Sequence, residues 1–396
     1  MRAIMKRFNV LVMLALAGSL VFQSSLYSQS TTPELNAIQT VVPFLTISPD
    51  SRAGAMGDAG VATSPDNYST YWNPAKYAFI DGNSGFALSY SPWLRALIPD
   101  INIAYLSAYR RIDTRQVVSM SLIYSSLGDI PFTDDFGNVS RTFKPNEFAL
   151  DGTYARLFSE NLAGGVAFRF IYSNLTGGEP VGGTETKPGI SFAADLSAYY
   201  TNNTRLSGKD FDYAFGINFS NIGSKMSYTD ARDPDFIPMN MKLGSSGTLI
   251  LDRYNKITLA LDINKLLVPT PPVYNEDREI IAGKDPNVAV AVAVFQSFFD
   301  APGGFREELR EITYSAGAEY LYNEQFAIRG GYFHENASKG NRKYFTTGAG
   351  FKMNVFAIDV SYLMPVVQNH PLARTLRFSI AFEFDALRNA SRKSNT

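Results

Sequence analysis

Residues 48–75 read SPDSRAGAMGDAGVATSPDNYSTYWNPA, and this stretch lacks the strand-like alternation of the chain after it. Its start, Ser48-Pro49-Asp50, predicts a helix, with Ser48 as the cap, Pro49 in the first turn and Asp50 at the positive end. Glycines and alanines follow, although each glycine costs a helix in water about 1 kcal/mol relative to alanine. Small residues are useful where a backbone packs close to another element. We therefore predict a plug inside a barrel that the following residues build.

The chain after the plug consists of segments that alternate apolar and polar residues with a period of two. Leu376, Phe378 and Ile380, for example, share one face, whereas Thr375 and Arg377 share the other. One face suits lipid and the other suits a polar interior. The predicted strands are 86–91, 101–110, 116–125, 146–157, 162–173, 189–200, 211–221, 240–250, 256–263, 312–323, 326–334, 345–353, 355–363 and 375–384.

The lengths of the connections predict an all-β membrane protein, a 14-stranded antiparallel outer-membrane β-barrel. Short turns alternate with long loops, and such barrels have an even strand number, short periplasmic turns and long extracellular loops. Only 201–210 blurs the pattern. Residues 287–299 (NVAVAVAVFQSFF) could form a strand, but one extra strand would make the number odd. The residues that follow, APGGFREELRE, look helical. We therefore place 264–311 as an ordered extracellular loop.

The first residues resemble a secretory signal peptide. Lys6 and Arg7 precede an apolar run, residues 10–22, that is shorter than the roughly 20 residues of a transmembrane helix. A retained anchor helix is the alternative. The predicted organisation is a signal peptide (1–28), an N-terminal extension and plug (29–85), a barrel (86–385) and a C-terminal tail (386–396). The protein would then lie in the outer membrane, with both mature termini in the periplasm.

Composition supports a membrane barrel and excludes several other classes. The 22 Tyr and 29 Phe suit aromatic girdles at two membrane interfaces. A net charge of −1 is not that of a nucleic-acid-binding protein, and the absence of Cys excludes disulfides and thiolate sites.

The sequence contains few candidate catalytic residues. The two histidines, His334 and His370, stand in or beside predicted loops, and no nucleophile, phosphate-loop or zinc motif is present. We expect no cofactor, no metal and no enzymatic activity. Asp134-Asp135 could bind Ca²⁺, although adjacent carboxylates in a turn are more often solvated. Inward charges such as Arg169 and Asp262 could line a pore or pair with one another and hold the plug.

Several longer segments resemble the PorV family, FadL-like outer-membrane proteins of the type IX secretion system. The resemblance is carried by 42–79 (VPFLTISPDSRAGAMGDAGVATSPDNYSTYWNPAKYAF), 300–312 (DAPGGFREELREI) and 361–384 (SYLMPVVQNHPLARTLRFSIAFEF). It implies a fourteen-stranded barrel closed by an N-terminal plug. It also implies partners: the SprA/Sov translocon barrel, secreted cargo with a C-terminal secretion domain, and the PorU sortase attachment complex, which links cargo to surface lipopolysaccharide. The chain itself would be a non-enzymatic receptor and shuttle.

Two sets of residues are the candidate sites. The plug set is Arg52, Gly54, Met56, Gly57, Asp58, Gly60, Trp72, Asn73 and Pro74. The partner-binding set, on loops 126–145 and 264–311, is Phe132, Asp134, Asp135, Phe136, Phe295, Phe298, Phe299 and Phe305. Aromatic anchors among polar groups are typical of protein interfaces. The alternatives are a lid formed by the same aromatics, passive FadL-like uptake of hydrophobic small molecules, and a purely structural barrel.

Overall fold

The computed structural model describes residues 35–384 apart from 96, 97, 99, 134, 135, 137, 181, 182, 231–233, 354 and 369. The predicted signal peptide and C-terminal tail lie outside these residues. Fourteen strands form one closed antiparallel barrel, in which the first strand pairs with the last. The predicted fold class is confirmed.

The bounds of the elements are as follows. The plug contains α1 (Ser51–Ala55), α2 (Ser69–Trp72) and two 3-10 turns, Pro43–Thr46 and Pro74–Phe79. The barrel strands and two small hairpins are β1 (Ser84–Pro92), β2 (Ile101–Arg111), β3 (Gln116–Leu127), β4 (Ile130–Thr133), β5 (Val139–Phe143), β6 (Asn146–Leu157), β7 (Leu162–Asn174), β8 (Gly189–Leu206), β9 (Lys209–Gly223), β10 (Asn240–Ile250), β11 (Asn255–Leu266), β12 (Val273–Tyr274), β13 (Ile280–Ala282), β14 (Thr313–Tyr322), β15 (Phe326–His334), β16 (Lys343–Met353), β17 (Phe356–Pro365) and β18 (Thr375–Glu383). Helices α3 (Val290–Gln296) and α4 (Phe305–Arg310) lie between β13 and β14.

Alternation along each strand separates two surfaces. On β18 the side chains of Leu376 and Phe378 are exposed outside the barrel, whereas Arg377 between them is 1% exposed. Closure pairs the backbone of every barrel strand on both edges, which removes the unsatisfied groups that a membrane does not tolerate. No helix among the described residues is long and apolar enough to cross a membrane.

The two ends of the barrel differ in their connections. The short-turn end carries the turns β2–β3, β6–β7, β8–β9, β10–β11, β14–β15 and β16–β17, and the long-loop end carries the other connections between barrel strands. Most turns at the short-turn end are brief, but β8 and β9 continue through the predicted turn 201–210 and form a hairpin. Its tip is Ser207-Gly208, where φ is 53° and 81°. Two consecutive positive φ angles match a tight hairpin turn, so the prediction of a long turn there was wrong.

The loop between β11 and β14 is ordered at the long-loop end. Residues 290–296 form helix α3 and residues 305–310 form helix α4. The alternating Val-Ala run is therefore not a fifteenth strand, because its spacing also suits a short helix with one buried face. The small hairpins β4–β5 and β12–β13 were not predicted.

The described chain begins at the long-loop end. The Asn36 amide donates to the Ser338 carbonyl (2.9 Å), and the Val41 amide donates to the Phe236 carbonyl (3.0 Å). The segment that leads into the plug therefore lies at the long-loop end, whereas β18 finishes at the short-turn end. The reason is hydrophobic burial, because Val42 and Phe44 pack against residues of the long loops and are 1% and 2% exposed.

Candidate functional site

The plug helix α1 is capped by Asp50. Its Oδ2 accepts a hydrogen bond from the Ala53 amide (2.8 Å). The predicted cap, Ser48, was wrong, because the helix begins later and the buried Ser48 hydroxyl has no hydrogen-bond partner among the described residues. Asp50 Oδ1 also accepts from the Trp72 indole N–H (2.6 Å). One carboxylate therefore joins the two halves of the plug.

The plug glycines lie where other atoms leave no room for a side chain. A Cβ on Gly57, where φ is 69°, would lie 2.6 Å from the Tyr332 amide nitrogen in the barrel wall. A Cβ on Gly60 would lie 2.4 Å from the Trp72 ring. At Gly54 the nearest atom, 2.6 Å away, is the end of a flexible arginine side chain from β18. Bulk is therefore excluded most strictly at Gly57 and Gly60.

A second set of glycines, on the barrel wall, was missed by the sequence analysis. These glycines stand at inward positions of their strands, and a Cβ on each would meet plug atoms. The distances are 2.4 Å for Gly165, 2.5 Å for Gly216, 2.5 Å for Gly317, 2.1 Å for Gly331 and 2.5 Å for Gly348. The available signal was glycine on the face that alternation assigns to the interior. Small residues on both partners let the plug and wall backbones approach closely.

Met56 and Asp58 fill the space beside Gly57. Met56 is fully buried, in a cluster with Ala59 and Ala260. Asp58 Oδ2 accepts from the Tyr344 hydroxyl (2.6 Å), and its Oδ1 lies 3.5 Å from Arg377 Nη1. This part of the plug is therefore held by one apolar and one charged contact.

Arg52 links the plug to the wall on the side of the short-turn end. Its guanidinium lies 3.1 Å from Asp66 Oδ2 in the plug and 3.3 Å from Glu319 Oε1 on β14. Glu319 also pairs with Arg329 of the wall (2.6 Å). The predicted plug arginine is therefore part of a buried ion network.

Trp72, Asn73 and Pro74 brace the plug farther along. The Asn73 amide donates to the carbonyls of Val61 (3.1 Å) and Ala198 (3.0 Å), so it joins the plug to itself and to β8. Pro74 begins the second 3-10 turn, which suits its fixed φ. Buried amide groups are satisfied in this way rather than left at a cost of about 1–3 kcal/mol each.

Asp262 of β11 is a wall residue that the sequence analysis had named only as an inward charge. Its Oδ2 accepts from the amides of Gly60 (2.7 Å) and Val61 (2.9 Å). Arg169 pairs with Asp151 (2.6 Å) within the wall. Inward charges could line a pore, or they could pair with one another and hold the plug. These contacts match the second use.

Two cavities lie on opposite sides of the plug. The cavity toward the long-loop end has a volume of about 310 Å³, and its lining includes Asp58, Trp72, Lys242 and Tyr344. The larger one, which we call the vestibule, has a volume of about 700 Å³ and lies toward the short-turn end. The vestibule is lined by the plug, by inward residues of the strands and by residues of the short turns.

The predicted partner-binding residues fall on two separate elements. Phe136 is exposed at the tip of hairpin β4–β5, and Phe132 lies in β4 with the Arg141 guanidinium 5.3 Å from its ring centre. Asp134 and Asp135 lie outside the described residues. The predicted calcium pair therefore does too, and the described residues contain no cluster of three metal-ligating side chains.

The other predicted aromatics form an apolar surface on the β11–β14 loop. Phe295, Phe299 and Phe305 are 75%, 76% and 75% exposed. Phe298, by contrast, packs inward against the buried cluster that contains Phe44 and Trp72, with Lys265 Nζ 5.8 Å from its ring centre. We call the outward set (Val292, Phe295, Phe299, Phe305 and Leu309) the apolar loop surface.

A buried ion cluster holds this surface in place. Lys265 at the end of β11 contacts Glu308 (2.9 Å) and Glu311 (2.6 Å). Lys339, from the β15–β16 loop, contacts Glu307 (2.6 Å) and Glu311 (3.0 Å). Two lysines on the barrel thus bind one acidic face of α4 and leave its apolar residues outside.

Asp300 lies beside this cluster and is 1% exposed. Its Oδ2 accepts from the Thr270 amide (3.2 Å), whereas its Oδ1 has no hydrogen-bond partner among the described residues. Burial, together with the nearby carboxylates of Glu308 and Glu311, raises the pKa of Asp300 to about 6.

The two histidines stay apart from both candidate sites. His370 Nδ1 accepts from the Leu372 amide (3.1 Å) in the β17–β18 loop, which is a turn contact. His334 ends β15, beside Tyr332 and Tyr314.

Comparison with known proteins gives a family match. The family model described as "Type IX secretion system protein PorV" matches residues 30–273, which is more than half of the chain. A search of curated proteins finds no match.

Solved structures with a similar fold are distant in sequence. The Pseudomonas putida toluene transporter TodX is 12% identical, with a TM-score of 0.44 and coverage of 88% of this chain and 98% of that one. The Ralstonia pickettii toluene transporter TbuX is 11% identical, with a TM-score of 0.43 and coverage of 84% and 97%. A Pseudomonas aeruginosa FadL homologue is 10% identical, with a TM-score of 0.44 and coverage of 85% and 99%.

Proposed function

The chain belongs to the family of the type IX secretion system protein PorV, and from this premise we propose that it is a non-enzymatic receptor and shuttle for secreted proteins. Members of this family are outer-membrane components of that system. The proposed partners are the SprA/Sov translocon barrel and the C-terminal secretion domain of cargo. The chain would then deliver cargo to the PorU attachment complex, which acts on it beside surface lipopolysaccharide.

The observation that carries the proposal is the apolar loop surface on a rigid base. Phe295, Phe299 and Phe305 are each about three-quarters exposed, and the lysine–glutamate cluster beneath them is buried. A free exposed aromatic surface is unfavourable in water and is typical of a site that another protein covers. Because the base is ordered before binding, little conformational entropy is lost on association.

Orientation in the outer membrane follows from loop length. Barrels of this class have short periplasmic turns and long extracellular loops, so the long-loop end would face the cell exterior. The apolar loop surface and hairpin β4–β5 would then both be available at the cell surface. The polypeptide leaving β18 would lie in the periplasm.

Passive uptake of a hydrophobic molecule is the alternative. It requires a continuous apolar path through the barrel. The cavities on the two sides of the plug are lined by charged groups, among them Asp58 and Lys242 on one side and Arg52 and Glu319 on the other. This lining favours the secretion role over uptake.

The test separates the apolar loop surface from barrel stability. A triple variant, Phe295→Ser, Phe299→Ser and Phe305→Ser, should assemble normally and lose partners. Loss of one central anchor typically costs about 2 kcal/mol or more, which is roughly a thirtyfold loss of affinity. The measurements are co-purification of the large translocon barrel and surface delivery of cargo.

Two comparison variants complete the experiment. Phe158→Ser removes an aromatic that is 66% exposed but lies at the short-turn end, so it should leave delivery unchanged. Deletion of 131–137 removes most of β4 together with residues of the β4–β5 turn, and it tests the second loop separately. Normal delivery with an intact complex in both the triple variant and the deletion would refute the proposed role of these loops.

A further inference from the structure

The cavity of about 310 Å³ toward the long-loop end, which we call the long-loop cavity, contains a lysine without a counter-ion. Its charged lining residues are Asp58, Lys242, Glu311, Glu335, Lys339 and Arg342. Glu335 pairs with Arg342 (2.7 Å), and Glu311 pairs with Lys339 (3.0 Å). Asp58 lies 3.5 Å from Arg377. Lys242 differs from all of these, because it forms no ion pair and no hydrogen bond with the described residues.

Lys242 is fixed deep in the lumen. It is 8% exposed on the inward face of β10, and its ammonium lies 4.6 Å from the ring centre of Tyr71 and 5.0 Å from that of Trp72. Aromatic rings attract a cation, but they leave its N–H groups without conventional acceptors. Burial of an ammonium without a hydrogen-bonded counter-charge is unfavourable. The position of Lys242 therefore favours an anionic acceptor inside the cavity.

The carboxylates nearby do not fill this role. Asp195 and Asp262 act on Lys242 only from beyond ion-pair distance. Asp195 pairs with Arg169 instead, and Asp262 accepts from the two plug amides described above. Each carboxylate is thus held by another partner, and the ammonium of Lys242 remains available to a ligand.

Unpaired oxygen atoms lie next to this ammonium. Asn264 stands directly opposite Lys242 on β11, and Asn240 precedes Lys242 by two residues on the same face of β10. The side-chain oxygens of both, like the hydroxyl of Ser48, line the cavity without a hydrogen-bond partner among the described residues. Residues that are opposite one another on antiparallel strands have Cβ atoms about 5 Å apart. One small molecule can therefore contact the ammonium and the amide oxygens together.

The size and lining of the cavity restrict the ligand. A volume of about 310 Å³ is at the lower end of the range for small-molecule sites. A hydrocarbon chain would leave the buried amide oxygens unpaired, which is unfavourable. Residues of the N-terminal extension, among them Ile38 and Leu45, form part of the lining, as do Tyr71 and Trp72 of the plug. A ligand here would therefore contact the extension, the plug and the barrel wall.

From the unpaired ammonium and the unpaired oxygens beside it, we propose that the long-loop cavity binds a small hydrophilic carboxylate that also carries hydroxyl groups. The carboxylate of this hydroxy acid accepts hydrogen bonds from Lys242. Its hydroxyl groups donate to the side-chain oxygens of Asn240 and Asn264. The bound molecule joins the extension, the plug and the wall, and it stabilises them by mass action. This binding does not depend on the secretion role.

Trp72 provides a direct test in the full chain in detergent. The sequence contains two tryptophans, so Trp93→Phe leaves Trp72 as the only fluorescent indole, and it lines the cavity. Gluconate, glucitol and hexanoate are the probes, and their carbon chains have the same length. Gluconate has a carboxylate and hydroxyl groups, glucitol has only the hydroxyl groups, and hexanoate has only the carboxylate. Fluorescence titration gives the dissociation constants, and the rise in melting temperature with each probe is an independent measurement.

We expect gluconate to bind at least about tenfold more tightly than glucitol or hexanoate, because only gluconate supplies both a charge-assisted acceptor and hydroxyl donors. This comparison uses the intact cavity, so it does not depend on the folding of any cavity variant. Equal affinity for gluconate and glucitol would overturn the proposal, as would tighter binding of hexanoate. Absence of saturable gluconate binding, which would leave water as the occupant, would also overturn it.

Two cavity variants identify the site of binding. Lys242→Met removes the ammonium and should weaken gluconate binding about tenfold. Asn264→Asp places a carboxylate opposite Lys242 at nearly unchanged volume, so it should weaken gluconate binding while the barrel still folds. Lys225→Met is the matched control, because Lys225 Nζ also lies over an aromatic ring, 4.1 Å from the ring centre of Phe236, but outside the cavity lining. Gluconate affinity that Lys242→Met and Asn264→Asp leave unchanged would refute the proposed site.

Discussion

Gly57 lies where the plug turns away from α1, and two separate constraints act on it. Its φ of 69° is in the left-handed region, which costs a residue with a side chain about 1–2 kcal/mol. The wall backbone at Tyr332 also occupies the place of a Cβ. Close backbone contact between plug and wall therefore requires glycine at this position and at Gly331, its neighbour across the contact.

Gly57→Leu should destabilise the barrel by roughly 1–3 kcal/mol or more, because overpacking forces plug and wall apart. The measurement is thermal unfolding in detergent. Gly178→Leu is the matched control, since Gly178 also has a positive φ (82°) but has no atom within 4 Å of its Cβ position. The strain of φ alone would lower both melting temperatures equally, and an equal decrease would contradict the packing argument.

The β11–β14 loop is an element whose short helices contact the rest of the protein through both apolar packing and ion pairs. Its helices α3 and α4 have only seven and six residues, which is too short for stability in isolation. Lys265 and Lys339 hold the acidic side of α4, and Asp300 lies buried beside them with no positive partner among the described residues. The loop should therefore respond to pH through Asp300.

The pH dependence has a definite sign. The folded-state pKa of Asp300 is about 6, above its ordinary value of 3.8, so the stability that its proton provides is present at acid pH and is lost as pH rises through 6. At pH 7.5 the ionised carboxylate costs the loop up to about 3 kcal/mol. Asp300→Asn should therefore slow tryptic cleavage within the loop at pH 7.5, and its advantage should narrow as pH falls below 6.

Asp277→Asn is the control for that experiment, because Asp277 is an exposed acid in the same loop. It should change cleavage little at any pH. An advantage of Asp300→Asn that grew toward acid pH would show that another group controls the loop.

At the scale of the whole molecule, two features close the barrel. Strand pairing closes the sheet, and the plug, held by Asp262, Arg52 and the glycine contacts, divides the lumen into two cavities. From the fixed polar contacts on both faces of the plug, we expect no wide aqueous path through the barrel.

The folded protein should accordingly show heat-modifiable migration, a sheet-dominated circular dichroism spectrum and little conductance in planar bilayers. An open porin in the same bilayer is the positive control. Large steady currents would contradict a sealed lumen, and a largely helical spectrum would contradict the barrel itself.

The sequence alone predicted the fold class and all fourteen barrel strands, because alternation and connection length are local properties. Residues 375–384 show this well: each side chain faces the side that its parity predicts. The glycines and Trp72-Asn73-Pro74 of the plug were also recognised from the sequence. Small and rigid residues in one run are unusual except where a backbone packs close to another element. The extension of β8 and β9 was missed, because Asn and Ser resemble turn residues even when cross-strand pairing overrides their preference.

Only the tertiary structure decided which groups meet. The wall glycines, the Asp262 contact with the plug amides and the cluster of Lys265, Glu311 and Lys339 join residues tens to hundreds of positions apart. No local pattern encodes such pairs, because they depend on the register in which the barrel closes. The direction from which the chain reaches the plug was decided in the same way, by burial of Val42 and Phe44 against the long loops rather than by any signal in their own segment.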